Sequence, residues 1–128
     1  MTCQLQQTTP SADTSDRTER IARLNDRARM GFDRRARIVM TSGLLATLAP
    51  GEDRRLQIMA QVRVMRAVRE CTFGADSPER DMAWFEIDGH KAMLKVDCYD
   101  ETLEWGSPNP ADASITIRVV TVMLTSEY

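Results

Sequence analysis

The chain has 128 residues, with 17 Lys and Arg, 19 Asp and Glu, one His and a formal net charge of −2. This length is typical of one compact domain with its own core, and a hydrophobic share of 42% is ordinary for a globular protein. No stretch approaches the ~20 apolar residues of a membrane span, and the N-terminus lacks a signal-peptide pattern. We therefore expect a cytoplasmic protein.

The charge is unevenly distributed along the chain. Residues 1–70 carry 13 basic and 8 acidic side chains, a net charge of +5, and residues 71–128 carry 4 basic and 11 acidic side chains, a net charge of −7. Fifteen of the 17 cations are Arg. Either the two halves neutralise each other, or each half presents its charge to a partner.

The N-terminal part predicts a tail followed by a helix. Residues 1–15 are rich in Gln, Thr and Ser and are predicted to be a disordered tail, which leaves residues 16–128 as a single domain. Asp16 and Glu19 have the spacing of a capping box and predict a helix over Asp16–Arg29. Gly31 is expected to end that helix.

The middle of the chain predicts a strand and a second helix. The β-branched run Arg37–Ser42 predicts a strand, Leu44–Leu48 is a short connector, and a helix is expected over Glu52–Arg69. Its apolar arc, expected to face the core, comprises Leu56, Ile58, Ala60, Val64, Met65, Ala67 and Val68. Met59 and Val62 fall outside that arc, among arginines.

The C-terminal half predicts a hairpin and one ambiguous segment. Two alternating runs, Met82–Ile87 and His90–Tyr99, flank an Asp-Gly pair that is a strong hairpin signal, with Phe85, Ile87, Leu94, Val96 and Cys98 expected to face the core. Leu103–Trp105 is an optional edge strand. The β-branched residues of 113–127 favour a strand, whereas its length and Asp112 as N-cap favour a helix. We predict the helix.

The fold class that follows is α+β. We expect a small antiparallel sheet of three or four strands, packed by three helices on one face, in the order α-β-α-β-β-(β)-α. Sheets of this kind bury one face and leave the other exposed.

No catalytic, cofactor or metal motif is present in the sequence. The only histidine, His90, lies next to a tight turn and has no neighbouring partner in sequence for general-base chemistry. Cys3, Cys71 and Cys98 form no Cys-x-x-Cys pair, so free thiols are expected. We predict a protein that is not an enzyme and uses no cofactor.

An acidic group with neighbouring aromatic residues is the first candidate site. Exposed aromatic side chains ringed by charge are typical of interfaces, so this group predicts a surface that binds a partner and imitates nucleic-acid phosphates. Its members are Glu86, Asp88, Asp97, Tyr99, Asp100, Glu101, Glu104 and Trp105. A third interpretation is a metal-dependent enzyme with Asp97 and Asp100 as cation ligands.

The arginines are the alternative site. Arginines on helix faces can bind phosphates without sequence preference, which would indicate a nucleic-acid-binding regulator. The candidates are Arg20, Arg23, Arg27, Arg34, Arg35, Arg55, Arg63, Arg66 and Arg69.

Four C-terminal segments resemble a small bacterial family. They are Phe-Glu-Ile-Asp-Gly-His-Lys (85–91), Lys-Val-Asp-Cys-Tyr-Asp (95–100), Leu-Glu-Trp-Gly-Ser-Pro-Asn-Pro-Ala-Asp (103–112) and Thr-Ile-Arg-Val-Val-Thr-Val-Met-Leu (116–124), followed by a final Glu-Tyr. The family consists of domains of unknown function that are typical of plasmids and other mobile elements. The resemblance covers residues 17–128 and supplies no catalytic residues.

The genetic context that this resemblance implies leads to the functional hypothesis. Small proteins of mobile elements often accompany antirestriction and anti-CRISPR genes. We therefore expect a binding protein that inhibits a host defence protein or ribonucleoprotein complex in the bacterial cytoplasm through the acidic surface. Nucleic acid is a partner only in the alternative interpretation, no membrane partner is expected, and the oligomeric state is left open.

Overall fold

The computed structural model describes residues 2–128, with side chains from residue 13 onward. Three α-helices and four strands form a small α+β fold. In chain order they are α1 (Thr2–Arg29), β1 (Arg37–Met40), α2 (Ser42–Leu48), α3 (Arg54–Glu70), β2 (Met82–Ile87), β3 (His90–Tyr99) and β4 (Ile117–Leu124). Short 3₁₀ turns at Ala113–Ile115 and Thr125–Glu127 flank β4.

The sheet has the strand order β1-β4-β3-β2. β3 is antiparallel to both neighbours, but β1 runs parallel to β4, so the expectation of a purely antiparallel sheet is wrong. The predicted helix over 113–127 is also wrong. β4 is a central strand with neighbours on both sides, and such a strand is apolar along most of its length. The same composition is typical of a buried helix, and this is why the sequence predicted one.

The helices pack on one face of the sheet, as predicted, but the third helix is α2 and not the segment 113–127. The connector expected at Leu44–Leu48 is helical from Ser42 because the Thr41 side chain caps it by accepting from the Leu44 N–H. Ala28 of α1, Leu44 of α2, and Val64 and Val68 of α3 join a single buried cluster with sheet residues. The sheet residues of that cluster are Ala83, Ile87, Ala92, Leu94, Val96, Val120 and Val122, with Ile38, Met40 and Phe85 partly buried beside them. The inward alternation predicted for the β2–β3 hairpin is confirmed.

The opposite face of the sheet carries its own apolar row. Trp84 lies opposite Met93 in the β2–β3 register, and Met93 lies opposite Met123 in the β3–β4 register. Met93 and Met123 are buried, whereas Trp84 is 53% exposed. Cross-strand side chains within about 5 Å cover one another, so Trp84 lies against Met93, and Met93 lies against Met123.

The first helix is longer than expected. It begins at Thr2 rather than at Asp16 and ends at Arg29, with Gly31 at φ +84° just beyond, so the predicted end is confirmed. Met1 and the side chains of residues 2–12, including Cys3, lie outside what the structure describes. The division into a tail at 1–15 and a domain at 16–128 stays a prediction. Within the described residues, none of the helices combines the length and apolar character needed to cross a bilayer.

Helix α3 buries less of its apolar surface than its sequence predicts. Ala60, Val64 and Val68 are buried, but Leu56 and Ile58 are about half exposed. The two residues that fell among the arginines, Met59 and Val62, are also exposed. The helix therefore has a second apolar side that the core does not use.

A buried guanidinium connects α1, β4 and two loops. Arg118 is 1% exposed, and its Nε donates to Asn25 Oδ1 at 2.7 Å while its Nη2 donates to the Pro110 carbonyl. The Asn25 amide in turn donates to the Glu79 carbonyl at 2.9 Å. Burial lowers the pKa of Arg118, but an arginine remains charged at neutral pH, so these neutral acceptors stabilise a buried cation.

We expect Asn25→Ala to lower the free energy of unfolding by about 2–3 kcal/mol, because it removes an acceptor from a charged donor. Urea denaturation monitored by circular dichroism measures the change. Arg20→Ala on the exposed side of α1 is the control and should change it by less than about 0.5 kcal/mol. Equal effects of the two variants would contradict the role given to Asn25.

Candidate functional site

The segment that follows β3, Tyr99–Gly106, forms a turn organised by one carboxylate. Asp100 Oδ1 accepts from the Thr102 hydroxyl at 2.7 Å and from the backbone N–H groups of Thr102 and Glu104 at 3.2 and 3.3 Å. The Asp100 N–H donates to the Trp105 carbonyl at 2.8 Å, which closes the turn. We call residues 99–106 the Trp105 loop.

The base of this loop is tied to the sheet. Tyr99 forms an isolated antiparallel bridge with Gly106, and the Ser107 N–H donates to the Cys98 carbonyl at 2.9 Å. The Ser107 and Thr116 hydroxyls lie 2.7 Å apart. The optional edge strand at Leu103–Trp105 is therefore wrong, because Leu103 adopts φ +62° and the chain turns there.

The loop presents an aromatic side chain to solvent. Trp105 is 72% exposed, more than Trp84, and the neighbouring Glu104 is exposed as well. Of the described residues, none provides a basic side chain within 4 Å of the Glu104 carboxylate. The result is a solvated indole beside an unpaired negative charge, on a backbone fixed at both ends.

Several residues of the predicted acidic surface are already paired with cations. Asp97 accepts from Lys95 at 2.7 Å, which raises the pKa of Lys95. Other pairs join the two halves of the chain, Glu101 with Arg35 at 3.3 Å and Asp88 with Arg63 at 3.0 Å. The basic and acidic halves therefore neutralise each other in part.

The predicted acidic surface is also divided in space. Glu86 and Asp88 lie at the hairpin end of β3, whereas Asp100, Glu101 and Glu104 follow its other end. A ten-residue strand spans about 30 Å at about 3.3 Å per residue. The structure thus brings together Asp97, Tyr99, Asp100, Glu101, Glu104 and Trp105, but places Glu86 and Asp88 elsewhere.

The predicted arginines are spread over several elements. Arg20, Arg23 and Arg27 lie on α1, Arg34 and Arg35 precede β1, and Arg55, Arg63, Arg66 and Arg69 lie on α3. Arg23 is 3.8 Å from Glu19, and Arg66 donates to Glu70 at 3.0 Å. Arg20, Arg34 and Arg69 have no carboxylate of the described residues within 4 Å.

Groups suited to catalysis are dispersed. His90 is exposed at the start of β3, and the described residues contain no cluster of His, Cys, Asp or Glu suited to a metal ion. Asp97 faces Lys95 rather than Asp100. Cys71 and Cys98 are free, and burial raises the pKa of both thiols, which makes them less reactive.

The protein is a small α+β domain with helices on one face of a mixed sheet and an ordered aromatic loop at one end. Residues 40–127 match the family described as Protein of unknown function (DUF3768), and the chain belongs to that family. No curated protein and no solved structure matches the chain.

The sequence did not predict which residues attach the Trp105 loop to β4. Asn109 and Pro110 provide carbonyls to Thr116 and Arg118, and Ser107 joins Thr116 through its hydroxyl. The Ser-Pro-Asn-Pro sequence at 107–110 signals a turn, but its acceptors are carbonyls, which every residue has. Only the position of Arg118 reveals their role.

The hydrogen bond from Thr102, with those from the backbone, lowers the pKa of Asp100. We expect Thr102→Val to raise that pKa towards its ordinary value, as measured by NMR titration of the side-chain carboxyl carbon. Because the folded-state pKa is depressed, Asp100 stabilises the loop above its unfolded pKa and loses this effect as pH falls through the folded value. Thr72→Val, an exposed threonine elsewhere, should leave the Asp100 pKa unchanged; an identical curve for Thr102→Val would refute the assignment.

Proposed function

We propose that this protein is a binding protein rather than an enzyme, and that it docks onto a protein partner through the Trp105 loop. The observation that carries the proposal is the exposure of Trp105, 72%, on a loop whose backbone Asp100 fixes. Tryptophan is enriched among the few residues that provide most of the binding energy at interfaces. A solvated indole in a defined position is what such an anchor requires.

The order of the loop favours binding. Association costs about 0.5–1.5 kcal/mol for each side chain that must be immobilised, and more for a flexible loop. The hydrogen bonds of Asp100 and the bridge from Tyr99 to Gly106 fix the loop before any partner arrives. The entropic cost of ordering this loop on binding is therefore small.

The charges around Trp105 indicate the chemistry of the partner. Glu104 is unpaired, and Glu101 shares its charge only with Arg35, so the rim of the loop remains acidic. Complementary potentials favour a protein with an apolar pocket bordered by Lys or Arg. A groove that binds nucleic acid has such a basic border.

The resemblance to mobile-element proteins makes the proposal more specific. A small acidic protein that covers the nucleic-acid groove of a host defence complex would act by occlusion in the bacterial cytoplasm. The acidic contribution comes from the loop cluster of Asp97, Asp100, Glu101 and Glu104, and Glu86 and Asp88 would lie outside the contact.

A nucleic-acid-binding regulator is the second candidate. Arg20, Arg34 and Arg69 favour it because no described carboxylate neutralises them. However, they lie on three different elements, α1, the turn before β1 and α3. Phosphate binding by them predicts affinity for duplex DNA that falls steeply with salt.

We expect Trp105→Ala to abolish capture of the protein partner from host lysate by immobilised protein, while Trp84→Ala retains it. The two variants remove the same indole from exposed positions, but Trp84 lies opposite Met93, about six strand residues or ~20 Å from Tyr99. Calorimetry with the captured protein should show a Kd at least ~10-fold weaker for Trp105→Ala. Glu104→Lys should weaken binding most at low salt.

The proposal fails if Trp105→Ala and wild type retain the same proteins. Fluorescence anisotropy with duplex DNA at about 50 and 200 mM salt tests the regulator. Tight, salt-sensitive binding that Arg69→Ala weakens would replace our proposal with that alternative. Plasmid transformation of a host with an active defence system tests the inhibitory role, in which Trp105→Ala should lose the protection that wild type gives.

A further inference from the structure

Strand β1 lies at one edge of the sheet, next to β4 only. An edge strand exposes a row of unpaired backbone N–H and C=O groups, and proteins usually protect it with charges, prolines or a covering segment. The sequence of β1 is Arg-Ile-Val-Met, with one charge and no proline, and Val39 is 45% exposed. Nothing in these four residues prevents another strand from pairing with them.

An apolar groove runs beside this edge. Met40 lines it together with α3, which contributes Ile58, Val62, Met65 and the charged Arg66 and Arg69. The groove has a volume of about 620 Å³. Ile58 is 51% exposed and Val62 64% exposed, so the unused apolar side of α3 and the unpaired edge of β1 form one continuous surface.

The alternation of side chains limits how a second β1 can pair with the first. In an antiparallel pair, residues directly opposite each other point to the same face. Ile38 and Met40 face the helices, whereas Arg37 and Val39 face the other side, as their partners Val119 and Thr121 do. A two-fold axis through Val39 keeps both faces matched, since Ile38 then lies opposite Met40 of the second copy.

This register also joins opposite charges. Arg37 would lie opposite Thr41, whose hydroxyl donates to Glu127 Oε1 at 2.9 Å. Opposite Cβ atoms are about 5 Å apart, so the guanidinium of one copy reaches the carboxylate beside Thr41 of the other. Arg37 has no carboxylate of the described residues within 4 Å, and the two-fold axis produces this ion pair twice.

We infer that the occupant of this surface is a second copy of the same chain. Two β1 strands pair antiparallel about Val39 and create one eight-stranded sheet with all helices on one face. The grooves beside the two β1 strands meet below the new junction, where Ile38, Met40, Ile58 and Val62 cover one another. An isologous interface of this kind closes as a dimer and does not continue into a filament.

The groove supplies exposed apolar side chains to such a dimer. Ile58 is 51% and Val62 64% exposed, and Val39 on the strand itself is 45% exposed. Apolar patches of a few hundred Å² mark interaction sites, and a stable interface needs roughly 800 Å² from each partner. The backbone pairing of β1 and the flanking Arg37–Glu127 contacts add to the apolar patch.

Light scattering after size-exclusion chromatography tests the dimer directly. At about 100 μM, a concentration at which a Kd in the micromolar range gives mostly dimer, wild type should have twice the chain mass of 14.5 kDa. Arg37→Glu and Glu127→Arg should each be monomeric, because each variant alone places like charges opposite each other. When the two are mixed in equal amounts, the heterodimer has one ion pair of native polarity, between the unchanged Arg37 and Glu127, and one of reversed polarity between the two substituted positions, so a heterodimer should appear.

Two further variants and a folding control make the outcome decisive. Arg20→Glu reverses an exposed charge on α1 and should remain dimeric. Val39→Lys places two cations on the axis without changing a buried residue and should be monomeric. Circular dichroism verifies that the variants are folded, which matters for Glu127→Arg because Glu127 Oε1 also accepts from the Leu124 N–H. A monomeric wild type, dimers that survive Arg37→Glu and Val39→Lys, or a failure of the mixture to associate would each overturn the inference.

Discussion

The buried guanidinium of Arg118 is the constraint on which the arrangement of this protein depends. A cation removed from water must be surrounded by acceptors, because its desolvation costs several kcal/mol. Here the acceptors are Asn25 and the Pro110 carbonyl. Since the first is on α1 and the second is in the loop before β4, satisfying Arg118 fixes both segments relative to the centre of the sheet. The Asn25 amide also donates to the Glu79 carbonyl, so the loop before β2 is attached to the same side chain.

The Trp105 loop depends indirectly on the burial of Arg118. The segment 107–116 leads from the Trp105 loop into β4, and Arg118 holds its Pro110 carbonyl while Thr116 holds Ser107. The exposed indole therefore projects from a base that is fixed on two sides. A loop on a rigid support holds an exposed side chain in a defined position, so any contact made through it has a low entropic cost.

Charge has two separate roles in the structure. Pairs such as Arg35–Glu101 and Arg63–Asp88 join the basic and acidic halves at exposed positions, where each contributes little to stability. They do, however, remove charge from surfaces that the sequence presents as strongly acidic or basic. Among the described groups without a partner of opposite charge within 4 Å are Glu104 beside Trp105, Arg37 on β1, and Arg20, Arg34 and Arg69.

The uneven use of apolar residues is equally informative. Helix α3 buries Ala60, Val64 and Val68 but leaves Ile58 and Val62 half exposed, because the core accepts only one side of the helix. An apolar side chain in water loses the stabilisation of roughly 25 cal/mol per Å² that burial would provide. The exposed side of α3 lies next to the unpaired edge of β1. A single contact can therefore bury the apolar side chains of α3 and pair the backbone N–H and C=O groups of β1.

The sequence by itself determined the local structure wherever one signal dominated. The Asp-Gly pair at 88–89 set the β2–β3 hairpin and its inward face, Gly31 marked the end of α1, and β-branched residues marked β1. It also identified most of the loop cluster, since Asp97, Asp100, Glu104 and Trp105 lie within nine residues. These features depend on turn chemistry and side-chain alternation, which act over a few residues.

Only the tertiary structure decided the remainder. Residues 117–124 became a strand because β1 and β3 offered backbone partners on both sides, and no local pattern distinguishes a central strand from a buried helix. Glu86 and Asp88 separated from the loop cluster because a strand is long, and Asp88 and Glu101 were paired by cations distant in sequence. Which apolar side of α3 is buried was likewise decided by what packs against it. Contacts between distant residues have no local signature, so the fold alone determines which charges and which apolar side chains are left for a partner.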